Sequence, residues 1–546
     1  MIRRLFEQGI IESFTMIRRL FWPTALYFLT FCGLFAPSQV ADAGSMNLTL
    51  RSRTPIPVKE PTSRAESFPA TGNHYLTNQR ALWDPQKTAL VICDMWDQHT
   101  CPNASKRVAE MAPRVNEVVQ KLRSQGVLII HAPSDTMKFY EGHPARRLAQ
   151  TAPVAKPETP LKRWAGLDSS KEPPLPIDDS DGGCDCETNW KKGMPYPWTR
   201  QIASIEIAEG DAISDSAEIY NLLKARGIEN VLVTGVHTNM CVLGRPFAIR
   251  QLVNQKFHVA LIRDLTDTMY NPAKAPFVSH FTGTDLVVEH IEKYWCPTIT
   301  SDQLVGGQAF RFQDDQRPHI VMLIGEPEYQ TATTLPAFAI SHLGKDFRVT
   351  ILNIDEKSQN HFPGIEAVGE ADILLLSVRR HPLIPNDLQI IRNYLSAGKP
   401  VIGIRTASHA FSLRNKPAPE GTVDWPLLDP EVFGGHYTNH YGAELKTTAT
   451  IVAEQAHHPI LNGLPMNSFR TGGSLYQVLP LEEKTTILVW GRAETIEQPQ
   501  PVAWLFQRAD GGTSFYTSLG HIDDFRGSEF PKLLTQAIQS LVPKKS

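Results

Sequence analysis

The alternation of short, wholly apolar runs with amphipathic stretches constrains this chain more than any other feature. Residues 89–93 are apolar without a break and end in Asp94, the pattern of a strand buried on both faces. Val108, Met111, Val115, Val118, Val119 and Leu122 then recur at spacings of three and four, one face of a helix. Gly126 stops that stretch, and residues 127–131 are the next apolar run. A strand, a helix and a strand in this order imply parallel pairing with a right-handed crossover. The rhythm returns with a helix near 216–225, a strand at 231–235, a helix after Cys241 and a strand at 259–264. Past a polar stretch it begins again, with strands at 320–325, 347–352 and 373–377, a helix at 386–397 and a strand at 401–404. The end is strand-rich, at 485–490, 502–506 and 514–519. The expected fold class is α/β, with two doubly wound parallel-sheet domains of three layers each. The first spans 76–300 and the second 318–546, joined by a linker at 301–317.

Three segments depart from this rhythm. Residues 44–75 are polar and rich in proline and read as an irregular arm. Residues 152–200 carry many prolines, the acidic run Asp178, Asp179, Ser180, Asp181, and then Gly182 and Gly183. They read as an insertion in the first domain, and a loop of that length is usually functional or disordered. The acidic run has the look of a calcium loop but lacks its downstream Glu, and a solvated acidic loop is the plainer reading. At the start, Arg18 and Arg19 precede an apolar stretch at 20–36, followed by Ala41, Asp42 and Ala43. A basic region, a short apolar region and a small-residue site make a secretory signal over 1–43. The expectation is export to the periplasm or the medium after cleavage near Ala43, with an uncleaved membrane anchor as the alternative.

Apolar residues are 42% of the 546 and charged residues 20%, the balance of an ordinary soluble protein. A net charge of −3 supplies no positive field for nucleic acid. Of seven cysteines, Cys32 would leave with the signal. The six that remain permit disulfides in an exported protein without requiring them. Cys184 and Cys186 stand in a C-x-C, where a mutual bridge would be strained and a metal would need ligands not evident nearby.

Two ends of expected strands carry reactive groups. Asp94 follows the run at 89–93, and Cys241 follows the run at 231–235 where a helix should begin. Carboxyl ends of strands line the ligand crevice of a doubly wound sheet. A helix N-terminus favours a thiolate, and its free N–H groups can receive an oxyanion. The alternative is that Cys241 is a small core hydrophobe. The order Val233, Thr234, Gly235, Val236, His237, Thr238, Asn239, Met240, Cys241, Val242 resembles the nucleophile motif of isochorismatase-like cysteine hydrolases. Residues 89–94 resemble that family's first strand with its catalytic Asp, and the likeness covers about 80–300. It implies a Rossmann-like domain in which Asp94 accepts the proton of Cys241. The thiolate attacks an amide-type carbonyl and a thioester forms. Backbone N–H groups of His237 and Cys241 hold the oxyanion, a cis peptide precedes His237, and no cofactor is involved.

The sequence departs from that family in three places. The family's Lys should fall near Ala208 and Glu209 and is missing; Lys191 or Lys192 of the insertion could supply the charge, or Glu209 could take another role. The segment after the Asp reads Met95, Trp96, Asp97, Gln98, His99. The family's Asp-x-His metal pattern is absent after His131, leaving only Asp135 and His143, so no metal is expected. His237 and Arg245 flank Cys241 and are candidate substrate contacts, although Arg245 can equally pair with an acidic neighbour. Trp96 reads as a pocket wall.

In the second domain, residues 401–409 have the form strand, sharp turn, helix, which can carry a nucleophile. No Cys follows Cys296, and Thr406 and Ser408 have no evident base, so a capped turn is the plainer reading. Ala371 to Leu376, Phe433 to His436, His458 to Ile460 with Gly463, and Phe515 to His521 together resemble the trehalose-utilisation (ThuA-like) family over about 318–540. That likeness implies a class I amidotransferase-like, flavodoxin-like fold associated with carbohydrate metabolism. His409, His436, His440 and His521 are candidates for a polar pocket there. The expected function is hydrolysis of a small amide, imide or related C–N substrate, fused to a module for a carbohydrate-like ligand. The alternative is an impaired hydrolase serving as a scaffold that binds a sugar or small polar ligand.

Overall fold

In the computed structural model, which describes residues 44–56, 74–465 and 467–543, the apolar runs become the centres of two large sheets. The expected signal at 1–43 lies outside the described residues. Among the described residues, no helix is long and apolar enough to cross a membrane.

The first sheet is built from β1 (Met46–Pro55), β2 (His74–Trp83), β3 (Thr88–Cys93), β4 (Leu128–Ala132), β5 (Ala212–Ile213), β6 (Asn230–Val236), β7 (His258–Asp267) and β8 (Thr298–Ile299). Their spatial order is β2-β1-β8-β7-β6-β3-β4-β5. The six strands from β8 to β5 are parallel. Its helices are α1 (Pro102–Ser124), α2 (Pro144–Gln150), α3 (Glu218–Ala225), α4 (Cys241–Gly244), α5 (Ile249–Asn254) and α6 (His280–Tyr294). Every residue of β3, β4 and β6 is buried, because each alternate side chain meets a helix layer. Ala89, Val91 and Cys93 face α3 and α6, while Leu90 and Ile92 face Val108, Met111 and Val115 of α1.

The irregular arm expected at 44–75 is corrected at its start. Residues 46–55 are β1, antiparallel to both β2 and β8. Met46 and Leu48 point inward, and Asn47 and Thr49 point out. This is a two-residue period that the polar composition obscures. Arg51 and Arg53 then anchor the strand to Glu292 of α6, at 2.7 and 3.0 Å. The insertion at 152–200 contains no helix or strand, yet it is tied down. Glu172 meets Arg250, His290 and Trp295, each at 2.7 Å.

After α7 (Asp302–Val305), the second sheet collects β9 (His319–Gly325), β10 (Arg348–Asn353), β11 (Ile373–Val378), β12 (Val401–Ile404) and later strands. Helices α8 (Thr331–Phe338) and α9 (Pro385–Ser396) follow β9 and β11. A small ribbon pairs β13 (Asn439–His440) with β16 (Tyr476–Gln477). The remaining strands are β14 (Thr447–Ile451), β15 (Phe469–Thr471), β17 (Thr485–Ala493), β18 (Gln500–Gln507) and β19 (Thr513–Thr517), with α10 (Glu529–Leu541) last. The order is β10-β9-β11-β12-β19-β18-β17-β14-β15. The five strands from β10 to β19 are parallel and the other four antiparallel. The sheet is therefore mixed rather than parallel throughout. The loops joining β17, β18 and β19 are too short for helical crossovers, which leaves hairpins as the available connection.

The two sheets belong to one compact unit. Leu76 of β2 is buried in the cluster of Val321, Leu323 and Leu352 from β9 and β10. The segment at 301–317 is not a free linker, because Asp264 binds the N–H groups of Ser301 and Phe310.

Candidate active site and second-domain pocket

Strands β3 and β6 are hydrogen-bonded neighbours, with Cys93 paired to Gly235. Gly235 has φ +108°, and a Cβ there would lie 2.0 Å from the Cys93 carbonyl oxygen, so only glycine permits this approach. The pairing brings the ends of both strands together, Asp94 on one and the turn to Cys241 on the other. Asp94 is fully buried. Its Oδ1 accepts the Ser134 N–H at 2.7 Å, and its Oδ2 accepts Arg245 Nε–H at 3.2 Å. The Val236–His237 peptide is cis, as the resemblance implied, and Cys241 opens α4.

Three groups act on one another here. Burial pushes the Cys241 thiol well up; Asp94 adds to this and Arg245 opposes it. Burial likewise raises the Asp94 carboxyl, against the pull of Arg245. The thiol thus stands beside a carboxyl group that the Arg245 guanidinium holds at 3.2 Å. The low thiol pKa that a helix N-terminus alone would give is overridden, because α4 is a single turn and its first residue is nine-tenths buried. Neither the His237 nor the Cys241 backbone N–H has an acceptor among the described residues, which leaves two donors beside the sulfur. Burial also holds the His237 imidazole neutral, and its Nε2 is buried without a partner.

The walls come from the insertion and from the segment after Asp94. Trp96 donates its indole N–H to Ser134 O at 3.0 Å and stacks on Trp198 at 4.3 Å. Tyr196 stacks on Trp198 at 4.2 Å and Trp190 on Tyr196 at 5.6 Å, a ladder that runs outward to solvent. His99 lies against Trp198 and edge-on to His237, at 5.6 and 4.7 Å. On the other side, Trp164 covers Gly244, and the Ala165 N–H binds Gly244 O at 2.7 Å.

At the end of β12 the sharp turn falls on Arg405, with φ +47°. Its buried guanidinium donates to Ser518 O at 2.6 Å and lies over the rings of Tyr329 and Tyr476, at 4.2 and 4.7 Å. His409 stacks on Tyr437 at 4.4 Å and binds Ser408 Oγ at 3.0 Å. Burial first, and then nearby arginines led by Arg380, take its pKa down to about 2.

The model of the ThuA family, described as trehalose utilisation, matches residues 321–539. The second sheet is that of a ThuA domain. Solved structures similar to the chain include a putative ThuA-like protein from Bacteroides uniformis, at 16% identity over 44% of this chain and 97% of that one, with a TM-score of 0.33. A cysteine hydrolase from Pseudomonas syringae pv. phaseolicola is 16% identical over 41% of this chain and 92% of that one, with a TM-score of 0.25. An isochorismatase family protein from Desulfovibrio vulgaris is 17% identical over 38% and 89%, with a TM-score of 0.22. Nothing among curated proteins matches the chain.

Of the four expected histidines in the ThuA domain, His409, His440 and His521 border one cluster of rings and His436 turns away from it. His409 and His440 lie on Tyr476, each with ring centroids 6.3 Å from it. His521 sits beyond Arg405, against Tyr329 at 5.8 Å. His436 turns to Pro480 O at 2.8 Å. The centre they surround is Arg405 with Tyr329, Tyr437 and Tyr476, none of which the sequence had marked; the signal was the residue directly after the 401–404 run.

In the first domain, Asp94, Cys241, His237, Trp96 and Arg245 do come together. Lys191 and Lys192 are exposed and pair with no carboxylate among the described residues, whereas Arg245 is the cation that reaches Asp94. It stands one turn after the thiol, within reach of Asp94 and of Asp135 at 3.3 Å. The 208–211 segment serves another purpose: buried Asp211 binds His131 and Arg123, at 3.1 and 2.7 Å. Asp135 and His143 are not paired, since His143 caps α2.

Proposed function

We propose that the first domain is a cysteine hydrolase of small amides, imides or related C–N substrates, and that Arg245 replaces the missing lysine. The observation that carries this reading is the buried Asp94–Arg245 pair beside the Cys241 thiol, with two unbonded N–H groups at the same turn. Asp94 takes the thiol proton as Sγ attacks the carbonyl carbon. Oxyanion charge develops between the His237 and Cys241 N–H groups. Asp94 returns the proton to the leaving nitrogen as the C–N bond breaks, and a thioester remains. A water that gives its proton to Asp94 then attacks the thioester, releasing the acid and the thiol. The ladder from Trp96 to Trp190 offers flat apolar faces for the rest of the substrate.

The ThuA domain brings the aromatic rings of Tyr329, Tyr437 and Tyr476 around the buried Arg405 guanidinium, a combination that suits a sugar-like ligand with polar edges and apolar faces. Turnover of a panel of small amides and ureides by the full chain, lost in Cys241→Ala, tests the hydrolase. A panel with no turnover by the wild type, together with sugar binding at the second pocket, would favour the scaffold reading instead.

A further inference from the structure

Outside this site, three thiols meet where the insertion crosses the start of α1. Cys186 Sγ lies 3.6 Å from Cys101 Sγ and 3.9 Å from Cys184 Sγ, and all three sulfurs fall within 4.8 Å of one another. A disulfide requires about 2.05 Å. Tetrahedral zinc with Zn–S bonds of about 2.3 Å requires sulfurs about 3.8 Å apart. The spacing fits a shared ion. The sequence offered only the C-x-C pair; the third ligand, Cys101, arrives from the far side of the fold.

The surroundings aim backbone N–H donors at the sulfurs. Cys101 is the N-cap of α1, a helix of 23 residues whose positive end faces the cluster. The Asn103 N–H donates to Cys186 Sγ at 3.4 Å, and the Ala104 N–H serves Cys101. Such N–H donors to sulfur orient metal-bound thiolates from outside the coordination sphere. Asp185, held by Arg107 at 2.8 Å, accepts the Cys101 S–H at 3.4 Å, a bond the thiol gives up when a metal displaces its proton. The loop is also fixed in place. Asn239 binds Asp179 at 2.8 Å and Asn271 binds Asp181 at 2.9 Å. Gly183, with φ +70°, allows an approach to Met269 O that a Cβ would block at 2.2 Å. The acidic run thus fastens the loop to the body through Asp179 and Asp181.

We propose that Cys101, Cys184 and Cys186 bind one thiophilic divalent cation, zinc by its sulfur spacing, with water as the fourth ligand. The ion joins the insertion to the start of α1 and so steadies the chain that carries Trp190, Tyr196 and Trp198. Binding releases the thiol protons, so affinity rises with pH.

The test uses the full chain, reduced and metal-free. Titration with Zn²⁺ against a chromophoric chelator should give one equivalent per chain, and Co²⁺ should show thiolate charge-transfer absorption. Both should be lost in Cys101→Ser and Cys186→Ser and kept in Cys296→Ser, whose thiol is buried elsewhere. Cys184→Ser alters one of the two half-buried members of the cluster. It should weaken Zn²⁺ at least tenfold with an unchanged far-ultraviolet circular dichroism spectrum, which carries the test if the Cys101 variant does not fold. Failure of the reduced wild type to bind, equal binding by the triple serine variant, or a Cys101–Cys186 or Cys101–Cys184 disulfide in protein isolated from its host would each overturn the proposal.

Discussion

Removing Asp94 and removing Arg245 should have opposite effects on the Cys241 thiol but the same effect on turnover. Burial is the main reason the thiol is raised, Asp94 is the second, and Arg245 works against both. An ionised neighbour at this range moves a pKa by about 1–3 units. The Arg245 side chain is 20% exposed, so solvent screens it and the lower end applies, about 1 unit or about 1.4 kcal/mol. Arg245→Gln should therefore cut the thiolate fraction about tenfold at any pH below the thiol pKa. Asp94→Asn removes the opposing charge and should raise that fraction by at least about tenfold. The assay is the rate of iodoacetamide labelling of Cys241 against pH, read by peptide mass spectrometry. Wild-type labelling should be slow at neutral pH and rise only in alkaline solution, Arg245→Gln should lag it and Asp94→Asn should lead it. Amide turnover should fall in both variants, because one lacks the cation and the other the base. If Asp94→Asn labels more slowly than the wild type, the carboxylate does not oppose the thiolate and the proposed proton transfer is wrong.

Three further outcomes follow from the same structure. Gly235→Ala places a Cβ 2.0 Å from Cys93 O at φ +108°; it should destabilise the chain by several kcal/mol, seen as a lower urea midpoint, and abolish turnover. Leu76→Ala opens a cavity against β9 and β10 and should cost about 2–5 kcal/mol; for the same reason a fragment starting at residue 318 should melt below the intact chain, and equal melting points would show that the contact contributes nothing. Glu172 would be raised by burial, but hydrogen bonds from His290, Arg250 and Trp295 lower it to about 2. A carboxyl depressed in the fold contributes stability above its unfolded value, about 4.3, and loses it as pH falls toward 2. Glu172→Gln should therefore lower the denaturation midpoint more at pH 7 than at pH 3, and limited proteolysis should cut first within 152–200.

The strands were legible wherever burial on both faces forced a continuous apolar run, as in β3, β6, β9, β11 and β12. β1 was missed because its inward residues are only Met46 and Leu48, and the rest of its anchoring is ionic, through Arg51 and Arg53. In the antiparallel half of the second sheet, β17 and β18 were visible as strands but not as directions, and β14 and β15 were not expected. A two-residue period is the same in either direction, and only the short loops between β17, β18 and β19 decide it.

The candidate site divides along a similar line. Asp94 and Cys241 stood at the ends of apolar runs, so local sequence placed them and the resemblance gave them roles. The cation could not be placed by counting back along the chain from Gly235, because a positive charge acts through space and any element that reaches the carboxylate can supply it. Here the element that reaches Asp94 is the turn following Cys241, through Arg245. Arg405 makes the same point in the second domain. The turn after β12 was read as a capped turn, and its first residue is a guanidinium wrapped by Tyr329 and Tyr476 rather than a nucleophile. A strand-to-helix turn fixes where a side chain points, while the chemistry it presents depends on which residue occupies the positive-φ position and on which distant rings enclose it. A site built on a recognised scaffold should therefore be read from the groups that converge in space, and at both turns of this chain those groups are arginines.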